Sequence, residues 1–142
     1  MKTHRIPGAP VAIGPYSHAV STGSLVFCSG QTAVDPDTME LAGATIEEQT
    51  ERVLDNLELV LGGLGLGLGD VVKTTVYLRS MEDFAGMNAV YARRFREHRP
   101  ARTTVAVRAN PLDALVEIEC VAERTNGGPA QEGAQAEASD AR

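Results

Sequence analysis

The sequence predicts an α+β fold in which one mixed β-sheet carries two helices on a single face. Three observations point there. Residues 45–64 and 80–96 repeat their apolar side chains at helical spacing. Five other short stretches are rich in β-branched residues or alternate polar with apolar ones, which is strand patterning. Their order is two strands, helix, strand, helix, two strands, which matches helices layered on one sheet. A chain of 142 residues suits one domain with a real core. Residues 1–125 hold all of these elements and are read as that domain. From Asn126 onward the chain is mostly Gly, Ala, Gln, Glu, Ser and Asp, and 126–142 is expected to be a disordered tail that buries nothing.

Each element has its own warrant. Residues 1–15 hold several prolines and glycines and are expected to form an extended arm. Gly14-Pro15 sets a turn, and Tyr16 to Ser21 reads as a strand that includes His18. Leu25 to Gly30 is a second strand, and the tight turn at Thr22-Gly23 makes the pair a hairpin. Thr45 and Glu48 form a capping box at the start of the first helix. Ile46, Val53, Leu54, Leu57, Val60, Leu61 and Leu64 then share one helical face. That helix must fail in the glycine run from Gly62 to Gly69, where each interior glycine costs about 0.5–1 kcal/mol against alanine. Val71 to Leu78 is a β-branched strand. Ser80, with Asp83, is placed to cap a second helix running to about Arg96, with Phe84, Met87, Tyr91 and Phe95 as its apolar stripe. Asn88 lies on that stripe. Pro100 opens a strand in which Thr103, Val105 and Val107 share one face and Arg102, Thr104 and Ala106 the other. Asn110-Pro111-Leu112-Asp113 is a loop. In the last strand, Leu115 to Ala122, Val116, Ile118, Cys120 and Ala122 face one way and Glu117 and Glu119 the other. The sheet face left bare by the helices is expected to carry Arg102, Thr104 and Glu117. It is too polar for a monomer core, so burial against further copies of the chain is expected.

Composition narrows the function. The net charge is -6 and the isoelectric point about 5.0. That argues against a general nucleic-acid binder, which needs a basic face. Cys28 and Cys120 are far apart in sequence with no CxxC pair, so neither a disulfide framework nor a zinc site is indicated, and each is read as a small apolar strand residue. His4, His18 and His98 have no metal-ligand spacing, and no metal is expected. No apolar signal region follows the N-terminus, and the longest apolar run is glycine-broken and too short for a bilayer. The expectation is a soluble protein of a reducing, cytoplasmic compartment without membrane or nucleic-acid partners.

Several residues invite a chemical reading beside a structural one. Gly63-Leu64-Gly65-Leu66-Gly67 loosely suggests a dinucleotide loop, but the order here is helix, glycines, strand, the reverse of what that loop needs, so a helix-to-strand turn is the better reading. His18 either faces a pocket or serves as a partly buried structural histidine, and the structural role is favoured. Asn88 must partner its amide with a neighbouring loop, the favoured reading, or with a ligand. Glu117 is either a general acid/base near a bound water or an edge-exposed carboxylate. Arg102 on a rigid strand can grip a carboxylate bidentately, or snorkel to water.

Taken together, Gly14-Pro15-Tyr16-Ser17-His18-Ala19-Val20, Phe27-Cys28-Ser29-Gly30-Gln31, Asp35-Pro36, Asn88, Pro100-Ala101-Arg102 and Val116-Glu117-Ile118-Glu119 resemble the RidA family, also called YjgF, of enamine/imine deaminases. The likeness runs from about Ile13 to Ala122. It implies a chorismate-mutase-like subunit in a homotrimer with clefts between subunits. It also implies hydrolysis of 2-imino acids, or of 2-aminoacrylate-type enamines, to 2-keto acids and ammonia without metal or organic cofactor. By position, Arg102 matches the family arginine that holds the substrate carboxylate, and Glu117 the acid near the attacking water. Tyr16, Ser29, Gly30 and Asn88 match residues that line the cleft. Thr104 stands in the pocket where a cysteine is common, His18 where glutamine is frequent, and Asn110 where leucine usually precedes the proline. These departures bear on subgroup and substrate range. The alternatives are a pathway-specific enzyme such as a 2-aminomuconate deaminase, or a non-catalytic module that binds small carboxylates.

Overall fold

The computed structural model describes residues 1–125, so the expected tail at 126–142 lies outside the described residues. Three strands come first or surround the first turn: β1 (Lys2–His4), β2 (Ala19–Thr22) and β3 (Leu25–Gln31). Helix α1 (Ile46–Gly62), strand β4 (Val71–Leu78), helix α2 (Phe84–Phe95), strand β5 (Ala101–Ala106) and strand β6 (Val116–Glu123) follow. They build one six-stranded sheet in the order β1-β2-β3-β6-β4-β5. Only the β4–β5 pair is parallel, because α2 is the crossover between them, and every other pair is antiparallel.

α1 begins where its capping box predicts. The Glu48 amide donates to Thr45 Oγ1 at 3.1 Å, and Glu48 Oε1 accepts from the amides of Ala44 (2.8 Å) and Thr45 (3.2 Å). Its buried face, Val53, Leu54, Leu57, Val60 and Leu61, packs on Val76, Leu78, Val116 and Ile118 of the sheet. Asn56 is buried on the same helix, and its amide donates to the carbonyls of Thr32 (3.0 Å) and Val34 (2.8 Å), which ties α1 to the segment after β3. The helices are clamped to each other at the surface. Arg94 of α2 reaches Glu51 (2.7 Å), Asp55 (2.9 Å) and Glu58 (3.0 Å) of α1.

Four expectations change. The start of the arm is a strand, β1, which pairs with β2. β2 begins at Ala19, so His18 precedes it. His18 is a structural residue, accepting from the Ile6 amide at 2.7 Å and bonding the Pro10 carbonyl at 2.6 Å. Ser80 caps a single 3-10 turn, Met81–Asp83, that leads into α2 and does not cap α2 itself.

The fourth change matters most for function. Arg102 and Thr104 do not share a sheet face with Glu117. In register, Arg102 pairs with Thr74 and Thr104 with Val76, and Thr74 and Val76 are fully buried under the helices. Glu117 pairs with Tyr77 on the opposite, open face. The alternation along each strand was legible in sequence, but which face of β5 meets which face of β6 depends on pairing through β4, and no local pattern encodes that.

Candidate functional site

Two clusters of polar groups stand out, one at each side of the sheet. The first is built on an irregularity in β3. Cys28 pairs with Cys120 and Gln31 with Ile118, so Ser29 and Gly30 together oppose the single residue Glu119, which is a β-bulge. The bulge brings the Gly30 backbone against the Glu117 side chain. A Cβ on Gly30 would stand 3.0 Å from Glu117 Cδ and closer still to its Oε2. Ser29 Oγ donates to the Ser17 carbonyl at 2.7 Å, which anchors the loop that carries the exposed Tyr16. Glu117 is half-buried, and its carboxyl is pushed above its ordinary value, first by burial and then by the Glu119 carboxylate two residues on. An upward shift is the direction wanted of a carboxyl that must both take and return a proton.

The second cluster lies between α2 and β5. The Arg102 guanidinium sits over the Tyr91 ring, 4.7 Å from its centroid, with the Phe84 ring at 5.6 Å. Tyr91 is itself fixed, since its hydroxyl and Thr74 Oγ1 share a 2.6 Å hydrogen bond and its ring stacks on Phe95 at 4.5 Å. The aromatic rings therefore hold the guanidinium by cation–π contact, and its N–H groups, which donate to no described residue, are left for an acceptor. Among the described residues no carboxylate pairs with Arg102. Asn88, Tyr91, Ala92, Arg99, Pro100 and Arg102 line one cavity of about 240 Å³. The Asn88 amide has no hydrogen-bond partner among the described residues, so the expected bond to a neighbouring loop is not there. Thr104, two residues beyond Arg102 on the same face, has a buried hydroxyl oxygen without a partner.

The structure thus brings Ser29, Gly30 and Glu117 together, with the Tyr16 loop attached, and brings Arg102 and Asn88 together with Thr104 alongside. It does not bring the two groups together. β3 and β5 are separated by β6 and β4. At about 4.8 Å per strand, Gly30 and Arg102 are about 14 Å apart across one sheet, and Arg102 and Glu117 point from opposite faces. Sequence reading missed Tyr91 and Phe84 as the seat of Arg102, though both were visible as stripe residues, and it missed Arg99 as a cavity wall. It also treated the cysteines as unrelated, whereas the register sets Cys28 directly opposite Cys120, both buried. Among the described residues no group of three or more His, Cys, Asp or Glu side chains is arranged to hold a metal ion, and no helix is long and apolar enough to cross a membrane.

Comparison with known proteins agrees with this architecture. A family model described as Endoribonuclease L-PSP matches residues 7–124. The 2-iminobutanoate/2-iminopropanoate deaminase of Escherichia coli K12 is 42% identical over 126 residues, covering 87% of this chain and 98% of its own. A RutC family protein of Pyrococcus abyssi is 47% identical over 114 residues, covering 80% of this chain and 90% of its own. Among solved structures, E. coli TdcF with bound serine superposes with a TM-score of 0.83 at 40% identity, covering 88% of this chain and all of the other.

Proposed function

Because the chain belongs to the RidA family, also called YjgF, we propose that it is a hydrolytic deaminase that converts 2-imino acids, or their 2-enamine tautomers, to 2-keto acids and ammonia. The observation that carries this reading is Arg102, a guanidinium with no carboxylate partner among the described residues, held against two aromatic rings in a small cavity. Such a group is built to take a carboxylate, and a 2-imino acid has one next to its reacting carbon.

The chemistry asks little more of the protein. A protonated imine carbon is already electrophilic, so fixing the adjacent carboxylate on Arg102 supplies mainly position. Glu117 then takes a proton from a water as its oxygen bonds to the carbon. The same proton goes to the nitrogen of the resulting carbinolamine, and as its C–N bond breaks Glu117 takes the hydroxyl proton, which leaves the 2-keto acid and ammonia. Asn88 and the Thr104 hydroxyl offer the remaining polar contacts, and Tyr16 a wall. No cofactor enters these steps.

Since Arg102 and Glu117 cannot meet within one chain, the reading requires a homo-oligomer, which we take to be a trimer. In it the Arg102 cluster of one subunit closes on the Glu117 cluster of the next. We place the activity in residues 1–125 and in a cytoplasmic compartment. The overall negative charge speaks against RNA as the substrate.

The test uses 2-iminopropanoate and 2-iminobutanoate released in situ by an amino-acid oxidase, with semicarbazide trapping whatever imine survives. The parent should outcompete the trap. Arg102→Ala should lose about 30- to 1,000-fold in kcat/KM, the equivalent of about 2–4 kcal/mol. Arg102→Lys should not recover it, because an ammonium lacks the planar fork. A parent no faster than buffer, or an Arg102→Ala variant as fast as the parent, would favour a non-catalytic carboxylate-binding role.

A further inference from the structure

The cavity beside Arg102 holds a second arginine. Arg99 and Arg102 line the same space of about 240 Å³, together with Asn88, Tyr91, Ala92 and Pro100 and with no Asp or Glu. This is a concentration of positive charge on a chain whose net charge is -6. Of the described arginines, Arg79, Arg93 and Arg94 pair with carboxylates, and Arg99 and Arg102 are among those that do not.

Arg99 is also held in place. Arg96, at φ 60°, ends α2 and begins the turn that carries Arg99. Arg99 Nη1 donates to the carbonyls of Arg96 and, at 3.0 Å, of His98. Carbonyls at a helix C-terminus attract a cation and fix its position. Both donations come from one nitrogen, so Nη2 and Nε stay free to receive an acceptor. Two guanidinium groups around one small space repel each other, and one bound carboxylate neutralises only one of them. A molecule with a carboxylate at each end satisfies both. The cavity is smaller than the roughly 300–1,000 Å³ of a drug-sized site, so the molecule is short.

We propose that Arg99 is a specificity residue of this site and that the preferred substrates are short 2-imino dicarboxylates, the imines of aspartate and glutamate type. The carboxylate next to the imine carbon lies on Arg102, and the distal carboxylate on Arg99. The proposal rests on the deaminase reading and adds its substrate class. The reaction is unchanged: water adds to the imine carbon, the C–N bond breaks, and ammonia leaves, with both carboxylates retained.

The experiment compares 2-iminosuccinate, made in situ by L-aspartate oxidase, with 2-iminobutanoate, made by an L-amino-acid oxidase. For the parent, kcat/KM should favour the dicarboxylate at least tenfold. In Arg99→Leu the ratio of the two kcat/KM values should fall about tenfold, the low end for losing a charge-assisted contact, since Arg99 is exposed. Arg99→Lys should keep part of the ratio, because the charge remains and the fork does not. Calorimetry on the parent adds a readout free of turnover, in which 2-oxoglutarate should bind more tightly than 2-oxobutanoate. No preference in the parent, or a preference that survives Arg99→Leu, overturns the proposal. A parent that hydrolyses 2-iminobutanoate alone overturns the dicarboxylate class and leaves the deaminase standing, whereas one that hydrolyses neither removes both.

Discussion

At the scale of single residues the two proposed catalytic groups are prepared in opposite ways. Arg102 is held as a cation by aromatic faces, and Glu117 is pushed toward its neutral form by burial and by Glu119. The second has a stability consequence whose sign is fixed. A carboxyl whose folded-state value is raised binds more protons folded than unfolded. Its contribution to stability is therefore fully present below the ordinary glutamate value and is lost as pH rises through the raised one. The ionised form of Glu117 is thus the one that burdens the fold. Glu117→Gln should then raise Tm at pH 7, with a gain that shrinks toward pH 4, while kcat falls and KM changes little. Thermal scans and steady-state assays on one preparation check both. Glu119→Gln, which removes the second cause of the shift, should move the acid limb of the kcat/KM profile to lower pH. An acid limb that stays put would separate Glu117 from the proton transfer. Arg102 and Glu117 were both legible in sequence as polar groups on strands with a family match. Their environments were not, because the nearer ring under Arg102, Tyr91, comes from the preceding helix and the glycine beside Glu117 from a strand far away in sequence.

At the scale of elements, β3 and α2 each position one of the two polar clusters. The bulge at Ser29-Gly30 exists because two residues of β3 oppose one of β6. Gly30 does not have a positive φ, so its role is spatial. Gly30→Ala is backbone-compatible but would drive its methyl into the Glu117 carboxylate. That carboxylate is the free end of a flexible side chain, so the fold should survive and the carboxylate should swing away. A displacement of about 1 Å in a catalytic group can cost about 100-fold, and kcat should fall on that order with Tm changed by only a few degrees. Parent-like turnover would mean that the position of Glu117 is immaterial. The elements were the most legible part of the chain. α1 starts at its capping box and stops at the glycine run, and the five predicted strands are all present. β1 was missed because three polar and charged residues, Lys2-Thr3-His4, carry no strand pattern and pair only because β2 offers an edge. The bulge was invisible for a related reason, since nothing in Cys28-Ser29-Gly30-Gln31 says how many residues of β6 will stand opposite.

At the scale of the whole molecule, one chain holds its two polar clusters on opposite faces of one sheet. Arg102 lies on β5 at one end of the sheet under α2, while Gly30 and Glu117 lie on β3 and β6 facing the open side. A closed ring of three identical subunits, each touching the next through a different pair of surfaces, would complete every site with residues from two chains. This arrangement has a consequence that neither an isolated subunit nor a ring with self-contained sites can imitate. Arg102→Ala and Glu117→Gln should each be strongly impaired as homotrimers. Unfolded together in equal amounts and reassembled, or coexpressed, they form mixed trimers. Where a Glu117→Gln subunit supplies its intact Arg102 to a neighbouring Arg102→Ala subunit with its intact Glu117, the site is whole. Random assembly places that ordered pair at about one interface in four, so the mixture should recover about a quarter of the parent's specific activity. The two preparations mixed without subunit exchange should recover none. Size by light scattering fixes the assembly, and the recovered activity fixes the sharing. A trimer whose mixed form stays inactive would place Arg102 and Glu117 in separate sites and leave the water to be activated by another group.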